Sequence, residues 1–177
     1  MQGIGLHIVL VGFMGSGKST VGKLLAEALD MEFIDMDLYI EKQQKCSIKE
    51  IFTNKGETYF RKVESVALLE VLSNSKRNVI STGGGAPCYL DNMNLIKLNS
   101  LSVYLKVGRI RLIERLKNDT ERPLLQNKTS KELLSFVKTT LGDREKYYSQ
   151  ADIRIRAIGS PEKIIKRLTN YILKANL

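Results

Sequence analysis

The run Gly12-Phe13-Met14-Gly15-Ser16-Gly17-Lys18-Ser19-Thr20 follows directly on the apolar stretch Leu6-His7-Ile8-Val9-Leu10-Val11, and no other part of the chain restricts its folding so tightly. It fits the pattern G-x-x-x-x-G-K-[ST], with Gly12 and Gly17 as the fixed glycines. Such a loop must join a buried strand to a helix N-terminus. Its glycines let successive backbone N–H groups converge on phosphate oxygens, and the helix aims its unpaired amides and dipole at the same point. Gly12, Gly15, Ser16, Gly17, Lys18, Ser19 and Thr20 are therefore the expected nucleotide contacts. Lys18 would neutralise charge on the β- and γ-phosphates, and the Ser19 hydroxyl is placed to ligate Mg²⁺. The plain alternative, a glycine-rich turn without a ligand, is disfavoured by the strand and amphipathic helix on either side.

The rest of the chain keeps alternating strand with helix. Val21, Leu24, Leu25 and Ala28 recur at helical spacing, and Glu32-Phe33-Ile34-Asp35 reads as a second strand before a helix from Leu38 to Gln44. Asp35 and Asp37 thus fall at a strand's C-terminal end, where open α/β sheets bind ligands. Ser47-Ile48-Lys49-Glu50 is a capping box, and its short helix stops at Asn54-Lys55-Gly56. A longer helix runs from Glu57 to Leu72, with Arg61 and Glu64 one turn apart. A third strand, Val79 to Thr82, ends in Gly83-Gly84-Gly85, which implies a second close backbone approach. Asp91 is expected to cap a helix through Lys97, Leu101 to Leu105 to form a fourth strand, and Arg109 to Lys117 a further helix. Asn118 to Lys128 is polar and of lid-loop length. Thr129 to Glu132 opens a helix reaching Tyr148, Asp152 to Arg156 is the last strand, and Ser160-Pro161 starts the last helix. Five strands alternating with helices predict one α/β domain over 1–177, a parallel sheet between two helical layers with right-handed crossovers.

Composition narrows the classes further. At 177 residues the chain can bury a full core without disulfides, and Cys46 and Cys88 form no metal or disulfide pattern, which suits a reducing cytoplasm. No secretory leader pattern precedes the first strand, and no apolar run approaches the roughly 20 residues of a membrane span. The net charge of +9 fits either a nucleic-acid surface or a pocket for small anions. Because the basic residues are spread along the chain and no aromatic RNA-binding motif accompanies them, small anionic ligands are the expectation, with no nucleic-acid or membrane partner. A monomer is expected. His7, the one histidine, lies on the first strand away from its phosphate end and reads as structural.

A phosphate loop does not name a substrate. The strand Val79 to Thr82 lacks the terminal carboxylate of motor-type ATPases, so the metal's carboxylate must come from elsewhere, and Asp35 is the obvious candidate. Asn54-Lys55-Gly56-Glu57 only imitates the N-K-x-D element of guanine-nucleotide switches, ending in the wrong residue and falling too early in the chain.

The combination of the phosphate loop, Phe33-Ile34-Asp35-Met36-Asp37, Phe60-Arg61-Lys62-Val63-Glu64, Gly83-Gly84-Gly85 and Arg122-Pro123-Leu124-Leu125 resembles the shikimate kinase family. The resemblance covers nearly the whole chain in the family's order. It implies a three-layer α/β/α P-loop kinase fold related to the nucleoside monophosphate kinases. It further implies a sheet in the order 2-3-1-4-5, a substrate-binding region over about 36–64 and a lid over about 117–128. The reaction it implies is transfer of the ATP γ-phosphoryl group to the 3-hydroxyl of shikimate, with Mg²⁺. A related small-molecule kinase such as a gluconate kinase would share the loop and lid but not the D-x-D, triple-glycine and paired-arginine set, and a nucleic-acid-processing P-loop protein would instead use the basic surface.

The same resemblance assigns roles. Asp37 would bind the acceptor hydroxyl and orient it in line with the γ-phosphate, where its ordinary role would be a helix N-cap. Asp35 would hold Mg²⁺, largely through water; its ordinary role would be a surface ion pair. Arg61 and Arg144 match the arginines for the shikimate carboxylate, a pairing suited to planar guanidinium groups. Lys146 replaces the usual proline beside Arg144, and a solvated helix position is the competing reading there. Gly83, Gly84 and Gly85 would let backbone approach substrate hydroxyls. Arg122 would swing from the lid onto the transferring phosphate, with Lys18 and Asp37 completing the catalytic set. Arg115 resembles the residue stacked beside adenine, with Ile158 to Pro161 lining its other side.

Overall fold

The computed structural model describes residues 6–117, 125 and 128–174. Strand β1 (His7–Val11) is buried at every position, as befits a central parallel strand covered on both faces. The chain continues through α1 (Lys18–Ala28), β2 (Glu32–Asp35), α2 (Met36–Gln44), α3 (Ile48–Leu72), β3 (Asn78–Ser81), a 3₁₀ turn (Ala86–Cys88) and α4 (Asn92–Asn99). It ends with β4 (Ser100–Lys106), α5 (Arg109–Leu116), α6 (Ser130–Tyr148), β5 (Ile153–Arg156) and α7 (Pro161–Lys174). Among the described residues the five strands form one sheet in the order β2-β3-β1-β4-β5, with every pairing parallel.

That order positions the site. The step from β1 to β2 runs one way across the sheet and the later steps run the other way, so right-handed crossovers put α1 on one face and α3 to α6 on the opposite one. The contacts agree: α1 packs on α7, α3 on α4 and α5 on α6. The loops after β1, β2 and β3 therefore meet at the strands' C-terminal ends, where the chain reverses its direction across the sheet. Ile8, Leu10, Leu25, Ile80, Val103 and Leu168 form part of the core beneath them. No helix among the described residues is long and apolar enough to cross a membrane.

Several local readings hold in detail. Both capping boxes form, Ser47 with Glu50 and Thr129 with Glu132. Gly56, at φ 78° and ψ 171°, interrupts α3 where the sequence stops one helix and starts another. His7 accepts from the Asn78 amide through Nδ1 (3.3 Å), leaving Nε2 to donate to the Asn74 carbonyl (3.1 Å). Its ring is a staple at the sheet's N-terminal edge.

Two caps differ from expectation. Asp91 stands at the N-cap position of α4 as expected, but its side chain caps no amide: it sits at φ 62° and its carboxylate accepts from Asn94 Nδ2 at 2.6 Å, and the helix runs on to Asn99. At α2 the helix starts two residues earlier than the periodicity indicates, and Asp35, rather than Asp37, is the N-cap, accepting from the Asp37 amide at 3.1 Å. Most of the expected lid over 117–128, Arg122 included, lies outside the described residues. Leu125, from the same run, is described and packs in the core.

Candidate active site

The phosphate loop is shaped by backbone. Gly12, Gly15 and Gly17 have φ of 145°, 76° and 92°, conformations that side-chain-bearing residues rarely adopt. Gly17 is the N-cap of α1, and the first bond in the helix runs from the Val21 amide to the Gly17 carbonyl at 2.9 Å. The amides of Lys18, Ser19 and Thr20 thus have no carbonyl within the helix to bond, the arrangement an anion exploits. Buried Lys18 lies along the loop, its Nζ donating to the carbonyls of Gly12 (2.9 Å) and Phe13 (3.1 Å). Ser16 Oγ is buried with no partner among the described residues.

Ser19 and Asp35 come together from different elements. The Ser19 hydroxyl donates to Asp35 Oδ2 at 2.6 Å and lies 3.4 Å from Ser81 Oγ. Among the described residues no cluster of three or more His, Cys, Asp or Glu side chains could cage a metal. One carboxylate beside one hydroxyl, next to a phosphate loop, is the sparse hard-oxygen set that suits Mg²⁺, which keeps much of its water and binds phosphates. The residues present therefore fit that ion.

Arg61 is buried on α3. Its Nη1 donates to Glu64 Oε2 at 2.7 Å, its Nη2 and Nε donate to Glu57 Oε1 at 2.9 and 3.2 Å, and its guanidinium lies 4.4 Å from the Tyr89 ring centroid. Burial alone would lower its pKa; the charges and hydrogen bonds of Glu64 and Glu57 outweigh that and raise it. Glu64 is 1% exposed, and its Oε1 has no partner among the described residues. Burial raises its carboxyl above the ordinary range against the pull of Arg61, and the charge of Asp37 pushes it the same way.

Arg144 is likewise buried, with its guanidinium 5.7 Å from the Phe13 ring centroid and Nη1 without a partner among the described residues. The solvated alternative fails here. Nearby Cys88 has its thiol pushed up to about 11 by burial, with Arg144 and Arg61 opposing, so it is not poised as a nucleophile.

The triple glycine fits between these groups for steric reasons. A Cβ on Gly83 would lie 2.5 Å from Glu64 Oε1 and 3.1 Å from Asp37 Oδ1; on Gly84, 2.9 Å from the Met14 amide nitrogen; on Gly85, 2.7 Å from Arg61 Nη2. The loop is a shim between the phosphate loop and the buried charges.

A cleft of about 470 Å³ is lined by loop residues 15–21, Asp35, Asp37, Ser81, Thr82 and Gly84 together with Arg115, Gly159, Pro161 and Ile164. Arg115 is tied to the loop by a 2.8 Å bond from Nη1 to the Gly15 carbonyl. Of the sequence-predicted residues, the cleft is lined by Gly15 to Thr20, Asp35, Asp37, Gly84, Arg115 and Pro161; Arg61, Arg144, Gly83 and Gly85 are not part of its lining, and Gly83 and Gly85 pack against Glu64 and Arg61 behind it, while Arg122 lies outside the described residues. Sequence reasoning missed Glu57, Tyr89, Phe13 and Tyr148. Tyr148 carries a faint signal, since it follows Arg144 by one helical turn.

The family model described as shikimate kinase matches residues 14–173. A curated relative named shikimate kinase, from Sulfurihydrogenibium sp., is 45% identical over 167 residues, covering 94% of this chain and 97% of the relative. Among solved structures, a shikimate kinase from Bacteroides thetaiotaomicron superposes with a TM-score of 0.89 at 38% identity, covering 94% of this chain and 98% of that one. A shikimate kinase from Acinetobacter baumannii, solved in complex with shikimate, gives 0.89 at 35% identity over 98% and 96% of the two chains.

Proposed function

The chain belongs to the shikimate kinase family, and from that premise we propose how its own residues carry the ATP-dependent phosphorylation of the shikimate 3-hydroxyl. The supporting observation is a cleft lined by the phosphate loop, Asp37 and Gly84, with the glycine loop packed between it and buried Arg61, and with buried Arg144 keeping a donor that has no partner among the described residues.

The loop amides and Lys18 bind the triphosphate, and Arg115, Gly159 and Pro161 flank the nucleotide's base. Arg61 and Arg144 hold the shikimate carboxylate, which fixes the ring so that its 3-hydroxyl reaches Asp37. Asp37 accepts the hydroxyl's hydrogen bond and takes the proton as the oxygen bonds to the γ-phosphorus and the bond from that phosphorus to the β,γ-bridging oxygen breaks, ADP leaving with the electron pair. Lys18, the loop amides and Arg122 stabilise the charge on the transferring group. Mg²⁺, held by Ser19 and Asp35, supplies charge neutralisation to the phosphates when bound. The lid excludes water, which would otherwise take the phosphoryl group. Two free cysteines accord with a reducing cytoplasm, and a monomer handling ATP and shikimate alone, without nucleic acid, completes the reading.

Arg61→Ala tests it. A charged hydrogen bond is worth about 1.5–3 kcal/mol, so shikimate affinity should fall by at least about tenfold while ATP affinity is kept. Equal loss for both ligands would refute the assignment. Arg122→Ala should lose mainly kcat; a rise confined to the shikimate KM would remove it from the transition state. Shikimate, and neither gluconate nor single-stranded RNA, should stimulate ADP release in a coupled assay.

A further inference from the structure

Tyr148 is the last residue of α6, fully buried, and follows Arg144 by four positions, so both side chains emerge on one helix face. Its hydroxyl donates to the carbonyl of Gly84. Gly84 in turn abuts the phosphate loop, 2.9 Å separating the position of a Cβ there from the Met14 amide nitrogen. The Tyr148 ring packs on Tyr104, with centroids 5.2 Å apart, and Tyr104 lies against Gly12 at the other end of that loop. Contacts therefore close a circuit: Gly12, Tyr104, Tyr148, Gly84, Met14. Arg144 stacks on Phe13 inside it.

A buried phenol needs some acceptor, and packing alone would be served by any carbonyl. The one used here belongs to the middle glycine of the shim, and the helix that presents the phenol also presents Arg144. Burial raises the pKa of this phenol against the nearby charge and hydrogen bond of Arg144, so it stays protonated and keeps donating.

We propose that the Tyr148 hydroxyl is a positioning group for the acceptor site, fixing the spacing between the Arg144 guanidinium and the glycine loop without itself touching substrate. This rests on the reading that Arg144 meets the shikimate carboxylate. Tyr104 provides an internal comparator, because its hydroxyl is also bonded within the fold but donates to Glu145 (2.7 Å) instead of to the loop.

The test is steady-state kinetics on Tyr148→Phe, Tyr104→Phe, Arg144→Ala and the Tyr148→Phe/Arg144→Ala double variant, run well below the lowest melting midpoint of the set. Tyr148→Phe keeps the ring and should raise the shikimate KM about five- to tenfold, the weight of one buried hydrogen bond, with the ATP KM within about twofold. Tyr104→Phe should keep the shikimate KM within about twofold, and the double variant should be no worse for shikimate than Arg144→Ala alone. A Tyr148→Phe enzyme matching wild type or Tyr104→Phe in its shikimate KM overturns the proposal, as does a double variant whose effects multiply. If Arg144→Ala leaves the shikimate KM unchanged, the assignment of Arg144 has failed first, and the proposal falls with it.

Discussion

The two halves of the proposed site would recognise anions by opposite means. On the nucleotide side the binding surface is main chain, and its glycines are required by their dihedrals: Gly12, Gly15 and Gly17 all have positive φ. On the acceptor side the surface is side chain. Buried Arg61 and Arg144 face Glu57 and Glu64, and the glycines there are required by proximity instead of conformation. Gly85, at φ −95° and ψ −22°, has a backbone any residue could adopt, yet a Cβ would strike the Arg61 guanidinium. A loop of amides accepts any suitably spaced phosphates, whereas a guanidinium fork held by a buried carboxylate, Glu64, and an exposed one, Glu57, would select one planar anion at one angle. Generic phosphate binding and narrow acceptor choice follow from that contrast.

Lys18→Ala offers the largest break in the comparison. Lys18 is the one loop residue proposed to act through its charge on the moving phosphoryl group, so its loss should cost about 10²–10³ in kcat, as for other preorganised transition-state donors. Single-turnover rates with saturating substrates would measure it, and a change confined to the ATP KM would make Lys18 a ground-state binder.

Gly84→Ala and Gly85→Ala come next and separate the halves. At Gly84 the added carbon meets backbone of the phosphate loop, which cannot yield cheaply, so both KM values should rise and stability should drop by about 1–3 kcal/mol. At Gly85 it meets the far end of a flexible side chain, so the fold should survive while Arg61 is displaced. The shikimate KM should then rise about tenfold with ATP spared. If Gly84→Ala also spared ATP, the glycine loop would not be wedged against the phosphate loop in solution.

How much of this was legible in the sequence follows the same division. The nucleotide half is local: strand, loop and helix are contiguous, and the glycine spacing encodes the dihedrals directly. The sheet order and the convergence of Asp35, Asp37 and the triple glycine could be expected because each follows a strand. The acceptor half is built from long-range packing. That Arg61 and Arg144 are buried depends on Tyr89 and Phe13, aromatic residues whose neighbours in space are distant in the chain. The exchange of roles at α2, where Asp35 caps and Asp37 is left in the first turn, turns on a boundary two residues from where periodicity puts it. Asp91 takes the N-cap position without a side-chain cap bond, its backbone being left-handed, a property no local pattern announces.

The smallest effect concerns what anchors α6, and hence Arg144, to the sheet. Glu145 accepts from Tyr104 (2.7 Å), Lys106 (2.6 Å) and Arg154 (3.3 Å), bonding the helix to β4 and β5. Burial would raise its pKa, but the hydrogen bonds from Lys106 and Tyr104 and the charges of Lys106 and Arg154 outweigh it and hold the carboxyl below the ordinary range. A carboxyl with a lower pKa folded than unfolded stabilises the fold above its unfolded value, and that contribution is lost as pH falls through the folded value. The melting midpoint of the wild type should therefore fall in acid more than that of Glu145→Gln. Partial exposure screens the pair, so the difference should not exceed about 2–4 °C for a chain of this size. The shikimate KM of Glu145→Gln should move slightly and the ATP KM less, because Glu145 bonds to β4 and β5 and not to the phosphate loop. Parallel acid melting of the two proteins would show instead that the helix is held by packing alone, and the acceptor half would then owe less to buried charge than its geometry implies.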